Sequence, residues 1–240
     1  MKKDNAIIQP LKVKHLVHSD VAILVSAEPD IKPLIEVLDL NNVKKHRLMM
    51  SDVYTGMMNH LSVLLTGPMI GAPYATLILE ETIASGINNI LFLGWCGSLS
   101  ENVNIGDCIV PDSSFIDEGT SRCYPGSKDQ SQADIHQAQK IFQLLLTSGQ
   151  PVHKGKIWCT DGFYQETKEK IMTYQQKNAI GVEMETSALF TVATFRKVSL
   201  ASLLVVSDEL YQYSWQPGFK TPAFKKGRKS AFQAIRQWLE

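Results

Sequence analysis

Short apolar runs rich in β-branched residues alternate along the chain with longer amphipathic segments. The β-rich runs are Val21–Val25, Leu61–Leu65, Ile90–Leu93, Asp107–Val110, Val152–Trp158 and Leu200–Val206. Helix-length segments lie between several of them: Ile31–Leu40, Pro73–Ser85, Gln132–Thr147, Gln165–Gln176 and Met184–Phe195, with a final one over Ala223–Leu239. Gly86 follows the second of these as a helix stop. The alternation predicts an α/β fold of three layers, α/β/α, around a central mixed, mainly parallel sheet. Arg122–Gln132 and Tyr211–Pro222 are polar and turn-rich, so both are expected as long loops serving as a lid or a subunit contact. There is no internal repeat or low-complexity segment.

Composition narrows the picture. At 240 residues, 44% hydrophobic and 20% charged, residues 1–240 fit one domain with a sizeable core. The 24 basic and 24 acidic residues cancel, and the Lys44-Lys45-His46-Arg47 cluster is short, which argues against nucleic acid or an anionic membrane as partner. A small molecule is the expected ligand. No apolar run approaches the roughly 20 residues of a membrane span, and Met1-Lys2-Lys3-Asp4-Asn5 is not followed by a long signal-type apolar core. A cytoplasmic protein is expected. Cys96, Cys108, Cys123 and Cys159 are scattered without a Cys-x-x-Cys pair, which predicts reduced thiols. The histidines show no close ligand spacing beyond His15 and His18, read as surface or substrate-edge residues, so no metal is expected.

Four segments carry candidate chemistry. Gly181-Val182-Glu183-Met184-Glu185-Thr186 and Ser207-Asp208 each put carboxylates where a strand gives out, and ligands of open parallel sheets collect beside such ends. Leu93-Gly94-Trp95-Cys96-Gly97 runs from a strand into a glycine-punctuated turn that lets a ligand approach the backbone. Thr66-Gly67-Pro68-Met69-Ile70-Gly71-Ala72-Pro73 is a strand end leading to a helix start suited to an anion. Each also has a structural reading: tight turns for the glycines, a helix cap for Glu183, and a turn start for Asp208.

In this order the segments resemble the purine nucleoside and uridine phosphorylase superfamily, which includes nucleosidases of the methylthioadenosine type. The resemblance runs from Val21 to Leu239 and is most specific at Val182-Glu183-Met184-Glu185, then at Val206-Ser207-Asp208, with Thr160-Asp161-Gly162-Phe163-Tyr164 in support. It implies that Phe163 stacks on a base, Met184 packs under a ribose, Glu185 accepts from the ribose hydroxyls, and Asp208 protonates a departing purine at N7. Glu183, Gly94, Trp95 and Ser207 join them as substrate-binding candidates. The residue types suit the chemistry independently. Breaking a nucleoside C–N bond builds positive charge on the sugar and negative charge on the base, so the site needs an anion near one and a proton donor near the other. To act as an acid near neutrality, Asp208 needs a pKa raised from about 3.9 by burial or a neighbouring carboxylate.

The attacking side departs from the family pattern. Ile31 and Phe92 stand where the resemblance places phosphate-binding arginines, and Trp95 replaces a small hydroxyl residue. Arg47 matches the segment that lends an arginine to a neighbouring subunit, implying a homo-oligomer built from dimers, a hexamer among the candidates. Thr120, Ser121 and Arg122 are proposed as substitute oxyanion ligands. Three functions stay open: phosphorolysis with inorganic phosphate as co-substrate and no cofactor, hydrolysis with Asp30 activating water, and nucleoside binding without catalysis. Asp208, and the absence of an arginine after Phe163-Tyr164, favour a purine over uridine.

Overall fold

A computed structural model of the chain describes residues 6–13 and 19–240; His15, His18 and the opening Met1–Asn5 segment lie outside the described residues. The first strand, β1 (Val21–Val25), is buried along its whole length and is followed by α1 (Glu28–Leu38), which carries Pro29 in its first turn. A meander of β2 (Asn41–Leu48), β3 (Ser51–Met58) and β4 (Leu61–Gly67) leads to α2 (Ala72–Ala84) and β5 (Asn89–Ser98). Next come β6 (Cys108–Asp117), the short β7 (Gln130–Gln132), α3 (Ile135–Thr147), β8 (Val152–Thr160), α4 (Lys168–Gln176) and β9 (Ala179–Glu183). The chain closes with α5 (Thr186–Arg196), β10 (Ser199–Glu209), the two-residue β11 (Gln216–Pro217) and α6 (Pro222–Leu239).

All these strands join one 11-stranded sheet. Its centre is parallel: β4, β1, β5 and β10 run side by side in one direction, as do β6, β8 and β9. Antiparallel contacts of β10 with β6 and of β5 with β9 connect these two groups, so β5, β10, β6, β8 and β9 curl into a closed ring while β1, β4, β3 and β2 form an open wing. This curl refines the expected layered α/β sheet, and it brings the ends of β5, β9 and β10 together.

The central strands bury both faces, which is why they are continuously apolar instead of alternating. In β1, Ala22 and Leu24 pack into one core, while Val21, Ile23 and Val25 pack into the other. In β10, Leu200, Leu204 and Val206 face the first core, and Ala201, Leu203 and Val205 the second. The first core is covered by α2 and α5 and the second by α1, α3 and α6. The last helix shows the cause clearly: Phe224, Phe232, Ile235 and Trp238 recur at helical spacing on its buried side. Each such side chain contributes about 1.5–3 kcal/mol by leaving water.

Several boundaries differ from the periodicity. The helix expected from Gln132 starts at Ile135, because Asp134 caps it by accepting from the Gln137 amide at 3.0 Å and Gln130–Gln132 pair with β6. The segment expected from Gln165 begins as a 3-10 turn over Phe163–Gln165, and α4 starts only after the Thr167 cap. The β2–β3 hairpin, absent from the expected strands, contains the short basic cluster Lys44-Lys45-His46-Arg47; most of β2 is exposed at the sheet edge, where charged residues discourage further pairing. Gly86 follows the α2 C-cap at φ 104°, as a helix stop requires.

Candidate active site

A cavity of about 420 Å³ opens where β1, β5, β9 and β10 end. One carboxylate reaches it through an irregularity in β10. Val206 pairs with Cys96 and Asp208 with Gly97, leaving Ser207 as the extra residue of a bulge, and bulges re-aim the side chains beside them. Gly97 makes room for this arrangement: a Cβ there would collide with Leu210 and sit 3.1 Å from Asp208 Oδ2. Ser207 Oγ donates to Asp208 Oδ1 at 2.6 Å, and the Trp215 indole N–H donates to Oδ2 at 3.0 Å. Burial raises the Asp208 pKa, and these two hydrogen bonds work against it.

The second carboxylate pair sits at the β9–α5 junction. Glu183 Oε2 accepts from the amides of Glu185 and Thr186 at 2.8 and 2.7 Å, capping α5, which is why that helix starts at Thr186 and not at Met184. The capping role and the site role coincide, because Glu183 also lines the cavity while its Oε1 is buried without a hydrogen-bond partner. Glu185 Oε1 accepts from the Gly71 amide at 2.5 Å. The helix start expected to suit an anion therefore donates to an internal carboxyl. Burial, then the charge of Glu183, pushes the Glu185 pKa up to about 8, and burial raises that of Glu183 as well.

Of the residues singled out from sequence, Asp208, Glu185, Glu183, Met184, Phe163, Trp95 and Ser207 all line this one cavity. The others do not. Gly94 is buried in β5, where a Cβ would meet Phe92 and Leu204 instead of a ligand; Gly97 is the glycine at the wall. Asp30 is fully buried, accepting from Trp95 Nε1 at 2.7 Å and from the guanidinium of Arg228, which also donates to the Pro29 carbonyl. Both of its oxygens are engaged and it does not line the cavity, so the geometry of a free base for water is missing. Ser121 is buried with its amide on Glu118, Arg122 donates weakly to the Ile116 carbonyl, and neither they nor Thr120 borders the cavity, which corrects their placement as oxyanion ligands. Arg47 projects from the edge hairpin, paired with Asp52 at 3.1 Å. Ile31 and Phe92 are core residues.

Two wall residues, Phe219 and Glu166, and one residue behind the wall, Trp215, were missed. Phe219 and the Asp208 partner Trp215 come from the segment 211–221, for which only a general lid role was legible. Glu166 lies just past Phe163-Tyr164, and burial followed by the charge of Asp208 pushes its pKa up to about 8. No lysine or arginine lines the cavity among the described residues, whereas Glu28, Glu166, Glu183, Glu185 and Asp208 do.

Fold and site together define an enzyme with an acid-lined, partly apolar small-molecule pocket at the ends of parallel strands. Residues 20–236 match the family model described as "Phosphorylase superfamily", and the chain belongs to that family. Purine nucleoside phosphorylases of the DeoD type from Bacillus thuringiensis and Bacillus mycoides are each 28% identical over 160 residues, covering 66% of this chain and 68% of theirs. The crystal structure of uridine phosphorylase from Vibrio fischeri ES114 superimposes with a TM-score of 0.80 at 25% identity over 91% of both chains. Among the described residues no helix is long and apolar enough to cross a membrane, and the four cysteines are free.

Proposed function

We propose that the protein cleaves the N-glycosidic bond of a purine-type nucleoside by phosphorolysis, releasing the base and ribose 1-phosphate, with phosphate as co-substrate and no cofactor. The observation that carries this reading is the convergence of Glu183, Glu185 and Asp208 on one cavity. The unpartnered Glu183 Oε1 and the Glu185 carboxyl suit the ribose hydroxyls, and Met184 supplies the apolar floor beneath the sugar. As the C–N bond lengthens, the oxygens of these carboxyls face the positive charge that builds on the sugar, and their ionised form stabilises it most. Asp208, its pKa raised by burial, supplies a proton to the leaving base, and Phe163 at the cavity wall offers a ring on which the base stacks. The strand-end acid, together with the similarity to purine nucleoside phosphorylases, favours a purine over a pyrimidine.

Phosphate needs a cation, and the cavity wall supplies none among the described residues. Arg47, exposed on the edge hairpin, is the residue we assign to a neighbouring subunit's site in a homo-oligomer. That same lack of lining cations favours a second reading, in which water attacks. Incubating the protein with purine and pyrimidine nucleosides, with and without phosphate, separates them: base release that requires phosphate and yields ribose 1-phosphate is expected, and phosphate-independent release of free ribose overturns phosphorolysis.

A further inference from the structure

Glu166 is a cavity-wall group that the bond-breaking chemistry leaves unused. It follows the 3-10 turn Phe163–Gln165 directly, so the turn that carries Phe163 also sets where the Glu166 backbone sits at the cavity wall. The Glu166 amide donates to the Phe163 carbonyl at 3.4 Å, while its carboxyl takes no hydrogen bond from the described residues. The charged groups acting on it are Asp208 from β10 and Lys170 from α4, and Lys170 is itself tied to Asp117 at 3.0 Å. A partly buried carboxyl without a hydrogen-bond partner among the described residues, on the wall of the same cavity as the acid we assign to the leaving group, has capacity reserved for a ligand.

We infer that Glu166 selects the purine: from the wall of the cavity that Asp208 also lines, its carboxyl meets the exocyclic group beside the ring nitrogen that Asp208 protonates. This rests on the purine reading above. The two forms of a carboxyl make opposite demands on that group. A neutral acid donates to a 6-oxo oxygen or accepts from a 6-amino group, whereas a carboxylate accepts from the amino group and repels the oxo oxygen. Because burial and Asp208 push the Glu166 pKa up to about 8, the neutral form prevails at neutral pH and gives way above it. The protein therefore takes both purine types near pH 7 and becomes selective for 6-aminopurines as pH rises.

Calorimetric binding of adenosine and inosine to the wild-type protein and to Glu166→Gln, at pH 6.5 and 9.5, tests this. An amide both donates and accepts at either pH, and ionisation of the ligands is common to both proteins and cancels in the comparison. The adenosine-to-inosine affinity ratio should rise at least about tenfold between the two pH values in wild type, the worth of one hydrogen bond to a charged group, and stay flat in Glu166→Gln. An equal pH response in the two proteins overturns the inference even if base release proceeds. Failure of either nucleoside to bind overturns it together with the purine reading, and the turnover assay with uridine then shows whether nucleoside cleavage itself survives.

Discussion

Gly71 donates its backbone amide to Glu185 Oε1 at 2.5 Å, joining the start of α2 to the carboxyl we assign to the ribose across 114 residues of sequence. With this donor the site keeps a carboxyl that burial and the neighbouring Glu183 would otherwise hold protonated further into the alkaline range. Assayed above pH 8, where the carboxyl is ionised, Glu185→Gln should lower kcat/KM about 10–100-fold, the value of a hydrogen bond to a charged group. It should also change the pH dependence of stability. The native state keeps the Glu185 proton up to about 8, whereas the unfolded chain releases it near 4.5. The stabilisation is therefore complete below about pH 4.5 and lost as pH climbs through 8. Urea unfolding at pH 5 and 8 should show wild type losing at least about 1.4 kcal/mol relative to Glu185→Gln, the equivalent of one pKa unit; parallel pH profiles would refute it.

Asp208 is held between Ser207 and Trp215, and its proton is the one we assign to the leaving base. Asp208→Asn should reduce kcat on a purine nucleoside by about 10²–10⁴. The loss should shrink when the leaving group is stable as an anion and needs no proton. Equal losses on both kinds of substrate would assign Asp208 to binding. Since the folded pKa is raised, the acid function is present at low pH and fades as pH rises through it.

The helices and the buried strands were legible because hydrophobic periodicity is local: Phe224, Phe232, Ile235 and Trp238 announce α6 without reference to the rest of the chain. The strand-end carboxylates were legible for a related reason, since Glu183, Glu185 and Asp208 follow apolar runs that give out abruptly. The exposed β2 was not, because an edge strand whose residues Lys44, Lys45 and Arg47 face solvent carries no apolar alternation. The bulge at Ser207 and the ring closure through β9 depend on partners distant in sequence, so no local pattern encodes them. Glu166 and Trp215 were invisible for the same reason: each matters through Asp208, which is far along the chain from the first and across a turn from the second.

Gly97 offers a test of how closely β5 must approach Asp208. Its added methyl in Gly97→Ala would collide with Leu210 and crowd Asp208 Oδ2 at 3.1 Å, so the acid has to move. Overpacking of this kind costs about 1–3 kcal/mol, and a displacement near 1 Å at a reacting group costs up to about 10²-fold in rate. Measured on folded protein, kcat should fall well beyond any change in KM. By contrast, Gly126, with open space around its Cβ position, gives a control whose substitution leaves kcat unaffected, though its φ of 80° will cost some stability. Matching kcat values for Gly97→Ala and wild type would show that Asp208 has slack in this site.

Asp30 separates a structural ion pair from an attacking base. It bridges Arg228 of α6 to the Trp95 indole, and the guanidinium lies 5.6 Å from the Trp95 ring, so this carboxylate fixes a residue of the cavity wall. Burial raises its pKa while Arg228 and Trp95 oppose the rise. In Asp30→Asn one oxygen still accepts from Trp95, but the Arg228 pair is broken, at a cost of about 2 kcal/mol as befits a hydrogen bond between charged groups. For a chain of this size that lowers Tm by about 4–8 °C. Turnover per folded molecule should stay within about tenfold of wild type, since the carboxylate does not border the cavity. A water-activating role predicts the reverse, with unchanged stability and a loss of about 10² or more in kcat. Thermal melts paired with initial rates on the same preparations distinguish the two, and a dead but fully stable Asp30→Asn would return this residue to the chemistry.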